Sequence, residues 1–142
     1  EACMGGLAYL QSRGIPAFAY HRTCDQAKAH DLPVPDLCFT DRMIIPLGDL
    51  EVICDYPGPT HTLDNIVVWI PSEKILFAGC MVKSIDSRNL GNTSDGDTVN
   101  YASTIRNVIE KYGDAFYVIP GHGKWGGHEM LSHTLELATR KP

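Results

Sequence analysis

Residues 65–78 constrain the fold most tightly. Asn65-Ile66-Val67-Val68-Trp69-Ile70 is almost wholly apolar and rich in β-branched side chains, Pro71-Ser72-Glu73-Lys74 has turn chemistry, and Ile75-Leu76-Phe77-Ala78 is apolar again. That succession predicts a strand, a turn and a returning strand. The runs are continuous rather than alternating, which predicts strands covered on both faces, or on one face and an edge.

The flanking sequence supplies helices and further strands. Residues 5–13 read as an amphipathic helix with Leu7 and Leu10 on its apolar stripe and Gly14 placed to end it in a left-handed conformation. Residues 15–20 are a short strand candidate. Thr23 is a good N-cap for a helix over 24–30, which Pro33 and Pro35 prevent from continuing. Between 36 and 57 the pattern suggests two or three strands broken by Gly48 and Asp49, the clearest over 50–56. Residues 84–97, rich in Gly, Asn and Asp, predict a long loop. Asp97 or Thr98 caps a helix to Tyr112, with Val99, Ala102, Ile105, Val108 and Tyr112 on one stripe and Gly113 at its end. A strand over 116–120 and a helix over roughly 127–139 complete the chain. Helices packed on a sheet, an α+β class, is the architecture implied. Its 142 residues suffice for one domain or a large part of one.

Three residues stand where strands give way to loops. His61 follows the strand ending near Tyr56, Cys80 follows 75–78, and His122 follows 116–120. Three such positions can converge on one sheet edge, and loops held by a rigid scaffold are where sites are built. Zinc accepts imidazole and thiolate together, which suits this set. Taken singly, a histidine beside glycine reads more simply as a turn residue, and a cysteine after an apolar strand as packed core. His21, His30, His128 and His133 fall in or beside helices and receive no role.

Bulk properties exclude several classes. A net charge of −5 argues against a nucleic-acid or anionic-membrane surface. No apolar run approaches the roughly 20 residues of a membrane helix. No signal peptide is visible at Glu1, where the chain opens in what reads as the middle of an element. The five cysteines are too few and scattered for a disulfide framework and include no Cys-x-x-Cys pair. Cys3, Cys24 and Cys54 read as small buried hydrophobes.

In combination the motifs resemble a known family. From Cys3 onward the chain is similar to the C-terminal part of the metallo-β-lactamases, the subclass with a cysteine zinc ligand. The resemblance rests on Gly5-Gly6 opening a helix, Pro57-Gly58-Pro59-Thr60-His61-Thr62-Leu63-Asp64-Asn65-Ile66, Phe77-Ala78-Gly79-Cys80-Met81-Val82-Lys83, Leu90-Gly91-Asn92 and Val118-Ile119-Pro120-Gly121-His122-Gly123. Gly-Cys-x-x-Lys is its most specific element, since other hydrolases of the wider superfamily usually carry aspartate where Cys80 stands.

The resemblance implies a single domain over 1–142 that is the C-terminal part of a four-layer αβ/βα sandwich. It implies hydrolysis of the β-lactam amide of antibiotics, with two zinc ions in the full-length family. His61 resembles the third imidazole of the tri-histidine site, and Cys80 and His122 two of the three ligands of the second zinc. Lys83 resembles the cation for the substrate's ring carboxylate, and Asn92 the loop residue that holds or polarises the lactam carbonyl. The implied chemistry is metal-assisted hydrolysis without a covalent enzyme intermediate. A small-molecule β-lactam is the implied partner, without nucleic acid or membrane insertion, and the implied location is periplasmic or secreted in a bacterium.

Two departures qualify this. The family's His-x-His-x-Asp should stand at the start of the Gly5 helix, but the aspartate position holds Ala2, with Glu1 one residue earlier. The two histidines fall before residue 1. The expectation is therefore one zinc or none in this chain, weak or absent turnover, and self-association through sheet surface left uncovered. The competing readings are a non-catalytic zinc-binding or interaction domain, favoured by Ala2, and a superfamily hydrolase of thioesters or phosphoesters, disfavoured by Cys80 with Lys83.

Overall fold

The structure, a computed structural model, describes residues 4–140. The readings that fall on Glu1, Ala2 and Cys3 lie outside the described residues. Two compact units divide the chain, Glu1–Asp41 and Arg42–Pro142.

The first unit contains α1 (Leu7–Ser12), β1 (Phe18–Tyr20), α2 (His21–Ala29) and β2 (Leu37–Phe39). Gly14 has φ +71°, and the Gly14 and Ile15 N–H groups turn back to the Gln11 and Leu10 carbonyls, the paired bonds of a left-handed helix stop. Leu7 is buried but Leu10 is 41% exposed, so the expected apolar stripe is half realised. The strand expected over 15–20 shortens to β1, because Pro16 has no N–H for a ladder. Thr23, expected as an N-cap, stands inside α2. The chain passes from β1 straight into the helix, so Tyr20 occupies the cap position without a side-chain bond.

One expectation about cysteine is overturned here. Cys24 is no isolated core thiol but is joined to Cys38 in a disulfide, the Cα atoms 6.3 Å apart. α2 crosses between the parallel strands β1 and β2, which brings Cys24 beside the middle residue of β2. A bare separation of 14 residues carries no sign of that return.

The second unit is one five-stranded sheet in chain order: β3 (Arg42–Leu47), β4 (Leu50–Asp55), β5 (Val67–Ile70), β6 (Ile75–Gly79) and β7 (Tyr117–Pro120). β3 to β6 form an antiparallel meander. β7 lies parallel to β6 because α3 (Tyr101–Tyr112) carries the chain back between them. Ile53, Trp69, Leu76 and Val118 stand opposite one another across four strands and are all buried. They form one core with Tyr101, Ile105, Val108 and Tyr112 of α3 and Met130 and Leu131 of α4 (Glu129–Thr139). Burial alternates along β5 and β6, and Phe77 on the other face is 41% exposed. These strands are thus fully covered on one face only, the helical one.

α3 departs from the expected stripe at its start. Val99 is 88% exposed, and the buried face runs through Tyr101, Thr104, Ile105, Val108 and Tyr112. The N-cap is Asn100, without a side-chain cap bond, rather than Asp97 or Thr98; Asp97 closes the turn ahead of it, its Oδ1 accepting the Asn100 N–H at 2.8 Å. Asp55, buried at the end of β4, accepts hydrogen bonds from Tyr112 Oη at 2.7 Å and Lys111 Nζ at 2.9 Å. A carboxylate in that position is tolerable because both donors come from α3.

Candidate functional site

Strand direction aligns the three expected donors. β4 and β6 are each antiparallel to β5, so they run the same way, and β7 is parallel to β6. The C-terminal ends of β4, β6 and β7 therefore share one sheet edge, with His61, Cys80 and His122 in the segments that follow. Loops beyond the carboxyl ends of strands are a recurrent place for ligands.

The His61 segment is knitted locally and tied to α3. Thr60 Oγ1 and the Thr62 N–H both donate to Asn65 Oδ1, and Asn65 Nδ2 donates to the Gly58 carbonyl at 3.0 Å. Thr104 Oγ1 donates to the Pro59 carbonyl at 2.9 Å, and Asn107 Nδ2 to that of Pro57 at 3.3 Å. Gly58 has φ +130°, and a Cβ there would collide with Thr104. His61 is half-buried, and its Nδ1 is buried without a hydrogen-bond partner among the described residues. Burial holds its pKa below the ordinary imidazole value, reinforced by the charges of Lys83 and His122 and opposed by Asp95. The result favours neutral imidazole, the form a metal requires.

Cys80 lies in a tight turn after β6, with Gly79 at φ +57° and the Val82 N–H bonded to the Gly79 carbonyl at 3.3 Å. The thiol is free and partly accessible. Gly121 packs directly on it: a Cβ at position 121 would fall on the Cys80 sulfur and backbone. His122, the next residue, is exposed. Gly123 has φ +84° and leaves no room for a Cβ beside Ser84. Lys83 Nζ donates to the Cys80 carbonyl at 2.7 Å, and burial pushes its pKa down, partly offset by Cys80.

The loop bearing Asn92 is anchored to both segments. It departs from Ser84 and returns at Asp97, whose N–H donates to the Thr60 carbonyl at 2.8 Å, while Gly96 packs on the Thr60 and His61 carbonyls. Asn92 itself is exposed, and its Oδ1 accepts the Ser94 N–H at 3.0 Å. His133 Nε2 pairs with the Ser87 carbonyl at 2.9 Å, which ties α4 to this loop. His21 pairs with Asp25, and His30 and His128 are exposed.

In kind, the donors fit zinc: an imidazole with a ring nitrogen lacking a hydrogen-bond partner among the described residues, a free thiol and an exposed imidazole on one edge. In number they fall short. Among the described residues, no three His, Cys, Asp or Glu side chains form a group able to hold a metal ion.

Sequence reasoning missed Tyr101 and Thr134. Tyr101 is fully buried with its Oη on the Met81 carbonyl at 2.8 Å, and the Thr134 hydroxyl accepts the Lys83 N–H at 2.8 Å. The i, i+3, i+4, i+7 set beginning at Tyr101 was the available signal. The exposed Val99 diverted the stripe from it.

Comparison with known proteins is consistent along most of the chain. The model of the metallo-beta-lactamase superfamily matches residues 4–122. A metallo-beta-lactamase type 2 from Bacteroides fragilis is 44% identical over 138 residues, 97% of this chain and 55% of that protein. One from Bacillus cereus is 40% identical over 136 residues, 94% of this chain and 52% of that protein. A solved metallo-beta-lactamase from Pontibacter korlensis superposes with a TM-score of 0.92 at 36% identity, covering 97% of this chain and 64% of that one. The chain thus spans about half the length of the curated relatives it matches.

Proposed function

The chain belongs to the metallo-beta-lactamase superfamily, and we propose that the whole protein is a zinc-dependent hydrolase of the β-lactam amide, a class associated with antibiotic resistance. One observation supports this most: parallel β6 and β7 end side by side, and Gly121 packs on the Cys80 thiol immediately before His122. A thiolate and an imidazole so arranged suit zinc and not a harder cation.

In this reading Cys80 and His122 belong to one zinc and His61 to another, the full-length protein holding two and this chain one or none. Bound zinc supplies hydroxide near neutral pH and polarises the lactam carbonyl. His61 contributes a nitrogen kept neutral by burial and by Lys83. Lys83 holds the ring carboxylate of the substrate, exchanging its bond to the Cys80 carbonyl for a charge-assisted one. Asn92, on a loop anchored beside His61, holds the lactam carbonyl. The Cys24–Cys38 disulfide supports an oxidising location, periplasmic or secreted. No helix among the described residues is long and apolar enough to cross a membrane.

The shortfall of donors favours a second reading for this chain alone, a non-catalytic zinc-binding or interaction domain. Zinc analysis of the whole protein and of its Cys80→Ser variant tests the ligand assignment. Serine should lower zinc retention and leave the metal-free melting temperature nearly unchanged. Unaltered zinc content with a large loss of metal-free stability would make Cys80 a packing residue instead.

A further inference from the structure

We propose that Tyr101 is a positioning residue for Cys80, a clamp by which α3 fixes the turn that carries the thiol. The inference rests on the reading of Cys80 as a metal ligand and goes beyond it by naming what holds the ligand in place.

Tyr101 is fully buried at the first turn of α3. Its Oη donates to the Met81 carbonyl at 2.8 Å and lies 3.4 Å from the Cys80 carbonyl. Without that hydroxyl, the Met81 carbonyl loses this donor inside the core, a cost that drives local rearrangement. The turn is gripped at other points too. Lys83 Nζ holds the Cys80 carbonyl, and Thr134 Oγ1 accepts the Lys83 N–H while donating to the Met130 carbonyl. Lys83, however, is the residue proposed to turn toward substrate, so its grip is released when substrate binds. The Tyr101 bond is buried and unaffected by that exchange. It keeps Cys80 seated against Gly121 while Lys83 is engaged elsewhere.

α3 thereby registers two segments of the site on one rigid element. Tyr101 holds the Cys80 turn, and Thr104 and Asn107 hold the residues just before His61. The spacing between ligand-bearing segments is set by helical geometry, and site residues supported in this way lose less order on binding.

The test uses the full chain with Tyr101→Phe, which keeps the ring and removes the hydroxyl, and Tyr112→Phe, which removes a hydroxyl from the same helix at Asp55. Metal-free alkylation by iodoacetamide, resolved by peptide mass spectrometry, reads Cys80 against the buried Cys54 as a monitor of global opening. Tyr101→Phe should raise the Cys80-to-Cys54 rate ratio about fivefold, the size of one net hydrogen bond, and Tyr112→Phe, which favours global opening and so exposes the buried Cys54, should not raise it. An unchanged ratio in Tyr101→Phe, or an equal rise in both variants, overturns the clamp.

Cobalt(II) titration of the whole protein, following the thiolate-to-metal charge-transfer band with and without Cys80→Ser, tests the underlying ligand reading separately. A band lost in Cys80→Ser and weakened in Tyr101→Phe supports both. A raised alkylation ratio with no thiolate band in any variant overturns the ligand reading and leaves a clamp on an ordinary thiol.

Discussion

Removing the Tyr112 hydroxyl should weaken the protein by about 2 kcal/mol, because the bond it makes ends on a buried carboxylate. Asp55 is 2% exposed and has two side-chain donors, Tyr112 Oη at 2.7 Å and Lys111 Nζ at 2.9 Å. Tyr112→Phe leaves the ring beside Trp69, with centroids 5.5 Å apart, so little packing is lost. A hydrogen bond to a charged group contributes roughly 1.5–3 kcal/mol. Lys111→Ala should cost less, about 1 kcal/mol or below, since that side chain is 50% exposed and water screens the pair. The double variant strands Asp55 without either donor. Its loss should exceed the sum of the two, approaching the ~3–5 kcal/mol of an uncompensated buried charge. Urea unfolding of the four proteins, followed by tryptophan fluorescence, measures the cycle. A loss under about 0.5 kcal/mol for Tyr112→Phe, with a strictly additive double variant, would show that water already satisfies Asp55.

Three further outcomes follow from particular contacts. Reducing the Cys24–Cys38 bridge, which closes a 14-residue separation, should cost about 3 kcal/mol, read as a lower melting temperature with dithiothreitol and no shift in a Cys24→Ala/Cys38→Ala variant. In the whole protein, Lys83→Ala should raise KM about fivefold for carboxylate-bearing β-lactams, with kcat retained and no change for a carboxylate ester. The Asp36 pKa lies below its ordinary value of 3.8 because its carboxylate accepts the Ala17 N–H and then a bond from Gln11. Its stabilising contribution is therefore complete above 3.8 and lost as pH falls through the lowered pKa, which amide exchange at Ala17 should register and Asp36→Asn should abolish.

Much of this was legible in the residues. The 65–78 pattern gave a hairpin because a proline-led polar turn between β-branched runs has few other solutions, and β5 and β6 follow it closely. The strand-end positions of His61, Cys80 and His122 were readable as well, since each follows an apolar run. Their common edge follows from the order and direction of the strands, which are long-range properties. The Cys24–Cys38 bridge was illegible for the same reason: it depends on β1 and β2 pairing across a helix. Periodicity marked Tyr101 as a core position of α3, once the exposed Val99 is set aside, but not the reach of its hydroxyl to a carbonyl 20 residues away.

The central claim is that this chain carries part of a zinc-dependent β-lactam hydrolase. Nitrocefin turnover measured together with zinc stoichiometry, on the purified chain and on a form extended at the N-terminus, tests it most directly. The account predicts at most one zinc on the chain alone and turnover on the order of 10²-fold or more below the extended form, since small errors in positioning at a catalytic centre carry losses of that size. Two zinc ions on the chain alone with turnover equal to the extended form, or no turnover from either, would contradict it.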